Sequence, residues 1–287
     1  MIRCFYHSAD FDGICSAAIV YHNFREQQMD VKLHPINHGE PFPWDEIERT
    51  DEVIMVDFAL QPADDMRRLA VLCDLTWIDH HVTAIESVPR TLRGIRDTKH
   101  AGCELTWTYY RMATMPRVVT LLGRYDVWDH DGEPDAMPFQ YGLRMDPDLQ
   151  DPSSPKWAAL LSNDPLVPSI VQTILIRGRT ILEYVQEENR KYCSTMFEVE
   201  WQGLRFLVAN RMMCNSLLFD SRFDVEKHDA MMAFGWRHGG WNFSMYTTKP
   251  DVDVSVIAKK MGGGGHRKAA GFKCEDIPFA LPRGGTP

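Results

Sequence analysis

Short apolar runs in the first third of the chain alternate with stretches of helical character. Residues 2–6, 53–56 and 75–78 are rich in β-branched and aromatic side chains and read as buried strands. Residues 14–21 form an apolar run with helical character, and Pro62 marks another helix start. Strands and helices in this alternation predict a parallel sheet, with ligands gathered outside the carboxyl ends of its strands. Farther along, residues 169–196 carry Ile170, Ile174, Leu175, Ile181, Leu182 and Val185 at helical spacing and predict one long helix. Residues 197–208 and 230–246 then read as hairpins turning at Gln202-Gly203 and at His238-Gly239-Gly240. The expected fold class is α/β, with an N-terminal parallel-sheet domain joined by a long helix to a smaller mixed α/β C-terminal domain.

Length and proline distribution agree with this division. The 287 residues suit two domains, and residues 129–168 hold seven of the 17 prolines, which marks a connector. The expected boundaries are 1–130 for the sheet domain, 131–196 for connector and helix, and 197–287 for the smaller domain; residues 282–287 read as a frayed tail. Apolar residues make up 44% of the chain, yet none of their runs is long enough for a bilayer, and no basic N-terminus leads an apolar core. A folded cytoplasmic protein without a membrane partner is expected. Seven cysteines are scattered without a CxxC pair and read as reduced thiols.

The apolar strands end in polar clusters. His7-Ser8-Ala9-Asp10-Phe11-Asp12-Gly13, Asp57 and Asp79-His80-His81 each stand at the end of one, and Asp126-Val127-Trp128-Asp129 makes a further acidic cluster. An Asp after a strand is often only a helix cap, and Asp12 and Asp57 both precede helical stretches. Capping explains neither His7 nor the paired histidines. Carboxylates mixed with imidazoles, and no cysteine among them, suit two divalent cations that stabilise the attacking and leaving oxygens of a phosphoryl displacement. Asp126 and Asp129 lie three apart, so either could turn to the cations; Asp126, directly after the apolar run 118–122 and the Arg124-Tyr125 pair, is preferred. Near the C-terminus, four glycines, Gly262 to Gly265, precede His266, Arg267 and Lys268. Asp251 or Asp253 can cap a helix before them, the first glycine can end it in the left-handed conformation, and the others can offer bare N–H groups to an anion. A flexible loop is the plainer alternative.

Asp79-His80-His81 together with the Gly262–Phe272 segment resembles the DHH phosphoesterases that carry the DHH-associated C-terminal domain, and in particular their nanoRNase or oligoribonuclease-like branch. The resemblance implies His7, Asp10 and Asp57 as ligands of one metal and Asp12, Asp57, His80 and Asp126 as ligands of the other, with Asp57 bridging. His7 stands one residue nearer the first Asp than in many members. By the same resemblance His81 touches the phosphate or a ligand, Asp79 orients a histidine, and Gly263, Gly264, Gly265, His266 and Arg267 bind substrate. Mn²⁺ is the implied cofactor, with Mg²⁺ as the alternative.

A net charge of −9 without a basic stripe disfavours duplex DNA and favours a short single-stranded oligonucleotide or a dinucleotide, for a monomer or an oligomer alike. Tyr125, Trp128, Phe139 and Tyr141 are candidates to stack on bases, with simple packing as their alternative. The expected function is therefore metal-dependent hydrolysis of very short oligonucleotides, RNA before DNA, to mononucleotides. Its rivals are a 3′-phosphoadenosine 5′-phosphate phosphatase, a linear or cyclic dinucleotide phosphodiesterase, and a nucleotide-binding regulator without catalysis. A degraded enzyme would lack one of Asp10, Asp12, Asp57 or His80, and the chain has all of them.

Overall fold

The structure, a computed structural model, describes residues 1–281 except 90, 112, 130–131 and 163. The expected frayed tail, 282–287, lies outside the described residues. The chain divides into two compact units, Met1–Leu182 and Glu183–Pro287.

The first unit begins with β1 (Ile2–His7), α1 (Phe11–Glu26), β2 (Val31–Ile36), β3 (Glu52–Val56), α2 (Asp64–Leu72), β4 (Asp74–Ile78) and α3 (Val82–Ser87). The helices α4 (Gly102–Tyr110), α5 (Arg117–Asp126), α6 (Ala136–Leu143) and α7 (Pro155–Leu160) come next, and α8 (Val167–Tyr192) runs on into the second unit. Its strands form one parallel sheet in the order β2-β1-β3-β4. Alternation along the strands feeds two cores. Cys4, Tyr6, Ile54, Val56 and Ile78 pack with α1, α4 and α5, whereas Phe5, Val53, Met55, Leu75 and Trp77 pack with α2 and the segment after β3. Burial on both faces is why these strands read as unbroken apolar runs.

Two regions depart from the sequence reading. Strand β2, with sequence VKLHPI, has no counterpart in the apolar pattern: it is an edge strand, half-exposed, and Pro35 and His34 obscure its alternation. The proline-rich stretch expected to break periodic structure contains α6 and α7, whose Phe139, Leu143, Trp157 and Leu160 join the core around α1. Pro155 stands in the first turn of α7 behind the Ser154 cap, where proline is tolerated, so it marks a helix start.

The second unit holds β5 (Phe197–Trp201), β6 (Leu204–Ala209), β7 (Ala230–Arg237), β8 (Gly240–Tyr246), α9 (Val254–Lys260), β9 (Gly264–His266) and β10 (Ala269–Cys274). They make a mixed sheet in the order β5-β6-β7-β8-β10-β9, parallel only between β6 and β7. Both expected hairpins are present. Register is held by cross-strand phenylalanines: Phe234 faces Phe243 at 5.6 Å and Phe243 faces Phe272 at 4.7 Å, each pair stacked. Asp253 caps α9, and Gly262, at φ +80°, lies just past its end. The last glycines answer to packing: a Cβ on Gly263 would sit 2.1 Å from the Gly271 carbonyl oxygen, and one on Gly265 would sit 2.6 Å from the Ala270 Cα. Among the described residues no helix is long and apolar enough to cross a membrane.

At the amino ends of the first sheet's strands lies a buried ion pair. Arg3 Nε donates to Asp51 Oδ2 at 2.7 Å, and the Glu48 N–H donates to the same carboxylate at 3.0 Å. Burial raises the Asp51 pKa, but the Glu48 N–H and the Arg3 guanidinium outweigh it and hold the carboxyl at about 2. A carboxyl depressed in the fold stabilises fully above its ordinary value of about 4, and that contribution disappears as pH falls towards 2. Asp51→Asn is expected to destabilise the protein by about 3 kcal/mol, because it leaves buried Arg3 with only the more distant and more exposed Glu46 carboxylate, at 3.6 Å, as its counter-charge. Urea unfolding of both proteins at neutral pH and near pH 3 measures this, and the difference between them should shrink at the lower pH.

Candidate metal centre

The parallel sheet turns the carboxyl ends of β1, β3 and β4 to one side, and the residues just beyond each strand converge there. Asp10 caps α1, its Oδ1 accepting the N–H groups of Asp12 and Gly13 at 3.1 Å each. The cap of α1 is thus Asp10, where the sequence offered Asp12, and Asp57 does not cap α2, whose cap position is Ala63; the second oxygen of Asp10 still faces His7 Nδ1 at 3.2 Å. Asp12 caps nothing in its own helix. Its oxygens accept the N–H groups of Gly102 and Cys103, both at 2.7 Å, across the chain at the start of α4. Asp57, just after β3, is in the left-handed region, at φ +54°, with its N–H bonded to the Ile78 carbonyl; a non-glycine residue there costs about 1 kcal/mol.

Asp57 is the hub. Its Oδ2 lies 3.7 Å from His7 Nδ1, and its Oδ1 lies 3.2 Å from His80 Nε2 and 3.9 Å from His81 Nδ1. His80 Nε2 also faces Asp12 Oδ2 at 3.7 Å and Asp126 Oδ2 at 3.4 Å. Three sets of side chains present ligand atoms within 4.8 Å of one another: His7, Asp10 and Asp57; Asp12, His80 and Asp126; and Asp57, His80 and His81. Asp129 turns away to Arg124 at 2.6 Å, so of the two alternatives it is Asp126 that faces the cluster.

Asp79 is fully buried and organises the paired histidines. It accepts the N–H groups of His80 at 2.7 Å and His81 at 3.1 Å, the His81 Nδ1 at 2.8 Å and the Trp77 indole at 3.2 Å. Burial would raise the Asp79 pKa, but these contacts with His81 lower it. Burial and the neighbouring Asp12 charge hold the carboxyls of Asp57 and Asp126 well above the usual range. His7 moves the other way: burial pulls it down, but Asp10 and Asp57 push it up to about 10. Two buried atoms, His7 Nδ1 and Asp57 Oδ1, make no well-aligned hydrogen bond despite their ionic neighbours. Concentrated negative charge, orphaned donor atoms and a nitrogen–oxygen ligand set fit divalent cations.

Some contributors are not evident from sequence. Gly102 brings the α4 amides onto Asp12, and a Cβ there would lie 2.8 Å from the Asp57 Cβ and 3.0 Å from Asp12 Oδ2. Glu104 closes the same turn by accepting the Ala101 N–H at 3.1 Å. An acid three positions into a helix is the available signal. In the second unit, the Gly263 N–H already donates to the Ala258 carbonyl, and Gly264, Gly265 and His266 form β9, so the expected cradle of bare amides is in large part a strand. Arg267 bonds the Pro250 carbonyl. Of the aromatic candidates, Phe139 and Tyr141 are buried, whereas Trp128 is exposed and meets Tyr125 edge-on.

Comparison with known proteins places this arrangement. The chain is 25% identical over 300 residues to an uncharacterized protein of Acanthamoeba polyphaga mimivirus, covering 96% of this chain and 68% of the relative. Its fold is similar to RecJ of Thermus thermophilus in complex with Mn²⁺, with TM-score 0.51 and 15% identity over 96% of this chain and 49% of that one. It is similar too to an exopolyphosphatase-related protein of Bacteroides fragilis, with TM-score 0.50 and 14% identity over 98% and 87% of the two chains. The model of the DHH family, N-terminal domain, matches residues 1–122, the stretch that contains β1 to β4 and all the clustered residues except Asp126. Residues 1–122 thus match the N-terminal domain of the DHH family.

Proposed function

We propose that the protein is a divalent-metal-dependent phosphoesterase that hydrolyses very short single-stranded oligonucleotides to mononucleotides. The observation that carries this reading is the position of Asp57, whose two oxygens face two separate ligand sets. Two divalent cations bound in those sets supply charge stabilisation for both the attacking and the leaving oxygen of a phosphate ester. Mn²⁺ suits the mixed imidazole and carboxylate donors, and Mg²⁺ is the alternative.

The side chains have distinct tasks in this scheme. His7 and Asp10 would hold one cation, Asp12, His80 and Asp126 would hold the other, and Asp57 would serve both sets. The amides of Gly102 and Cys103 fix the direction of the Asp12 carboxylate before any cation arrives. Asp79 binds His81 through Nδ1, which aims the opposite ring nitrogen, Nε2, away from the carboxylate. A proton held at His81 Nε2 can then bond a phosphate oxygen or pass to the leaving oxygen. Residues 1–130 do the chemistry in this reading. In residues 197–287, Gly264, His266 and Arg267 bind substrate. A Cβ on Gly264 would meet no atom within 4 Å, so its lack of a side chain answers no packing demand and leaves the backbone open to a ligand.

Asp57→Asn is expected to lower turnover by more than about a hundredfold at saturating Mn²⁺. It should not lower the melting temperature of the cation-free protein, because the amide removes a carboxyl that burial and Asp12 already disfavour as an anion. Steady-state assays and thermal unfolding with and without Mn²⁺ test both halves, and wild-type turnover in the folded variant defeats the bridging role.

His266→Ala is expected to raise KM for a dinucleotide by about tenfold while Mn²⁺ affinity stays unchanged. Calorimetry with the metal and with a product mononucleotide separates the two, and a collapse of metal affinity alone contradicts the assignment.

An acidic protein gains little from additional phosphates, so the specificity constant should fall steeply along a ladder of single-stranded RNAs from the dinucleotide to about twelve nucleotides. The ladder is measured at one salt concentration. A flat or rising profile would favour a processive exonuclease.

A further inference from the structure

Adjoining His81 within the first unit is a cavity of about 360 Å³ that the metal ligands do not fill. One wall is the segment after β3, residues 59–63, another is α3, and Asp79 and His81 form the side nearest the acidic cluster. Leu60 and Val88 are buried and line it with apolar surface. Ala84, on the first turns of α3, is small and leaves the space open. Thr83 and His38 add hydrogen-bonding groups, and the His38 ring lies 4.8 Å from Phe58 and 5.7 Å from His7.

The volume is that of a small-ligand site, far larger than a phosphate needs. Its surface also suits something other than phosphate: no lysine or arginine lines it among the described residues, and the His81 imidazole at its edge is already bonded to Asp79, so a second anionic group would find little counter-charge there. Apolar walls with a few hydrogen-bonding groups match a ring system that has flat apolar faces and polar edges. Because His81 borders both the cavity and the Asp57–His80 set, a group joined directly to a phosphate at the cluster reaches the cavity without a spacer.

We infer that this cavity is a nucleoside subsite, holding the sugar and base attached to the phosphate that is cleaved. The inference rests on the phosphoesterase reading above, and it adds a specificity: the substrate must carry a nucleoside beside the scissile phosphate, so inorganic polyphosphate is a poor substrate.

Ala84→Trp fills the cavity from the half-buried face of α3. Its specificity constant is measured for a dinucleotide and for methyl p-nitrophenyl phosphate, a diester without a nucleoside. The expected result is a loss of about tenfold or more for the dinucleotide, with the small diester unchanged. An unchanged dinucleotide rate overturns the subsite. If both activities fall together, or if the wild type cleaves no phosphodiester and the functional reading itself fails, the cavity is tested by titrating the wild-type full chain with adenosine and following backbone amide signals. Shifts centred on Ala63, Thr83 and Ala84 support the nucleoside site, and their absence at millimolar adenosine overturns it.

Discussion

Mutual repulsion among closely gathered carboxylates, two of them buried, is the constraint around which the first unit is built. Asp10, Asp12, Asp57 and Asp126 gather at one end of a sheet whose interior is apolar on both faces. Charges a few ångströms apart in such surroundings interact by several kcal/mol, and at an effective dielectric constant of about 20 the figure is about 4 kcal/mol at 4 Å. Left alone, the group answers by taking up protons, as the raised pKa directions of Asp57 and Asp126 and the protonated state favoured at His7 show. Cations answer it better, because they remove the repulsion without neutralising the donors. The sheet order makes this crowding unavoidable: β1 and β3 are neighbours, β4 lies beside β3, and all run the same way, so the residues just beyond each strand meet those of the others.

Much of this is legible in the sequence because it depends on local patterns. Strands buried on both faces are continuous apolar runs, and β1, β3 and β4 are recognisable from them together with the acidic residues at their ends. The hairpins of the second unit declare themselves through Gln202-Gly203 and His238-Gly239, where the chain takes positive φ. Strand β2 escapes because an edge strand needs no such run, and α6 and α7 escape because prolines at helix starts resemble prolines in loops. The role of Gly102 is illegible for a different reason. Its partner, Asp12, is 90 positions away, and only the fold brings the α4 amides to that carboxylate.

The glycine run shows how one motif can answer two demands. Gly263 and Gly265 lack room for a Cβ against β10, and the Gly262 and Gly263 amides finish α9. Those demands are structural, and they would exist in a protein with no ligand. Gly264 alone of the strand's glycines faces open space, and it lies in the same short strand as His266. A motif that looks uniform in sequence thus separates, residue by residue, into packing requirements and one strand position where a side chain would be tolerated by the fold.

Backbone dipoles divide the carboxylates in the same way. Asp10 and Asp12 each accept amides at the start of a helix, α1 and α4, where the partial positive charge of the helix favours an anion. Their charge is compensated by the protein itself, so these two carboxylates are oriented in advance whatever occupies the site. Asp126 has the opposite placement, as the final residue of α5, where the helix presents its negative end. Its close ionic contact is His80, at 3.4 Å, and that imidazole is shared with Asp12 and Asp57. The carboxylate contributed from outside the β1–β4 sheet is therefore one that its own helix opposes, and a nearby cation would offset that. Cation binding there would tie the end of α5 to the ends of the strands and so link the helical layer to the sheet.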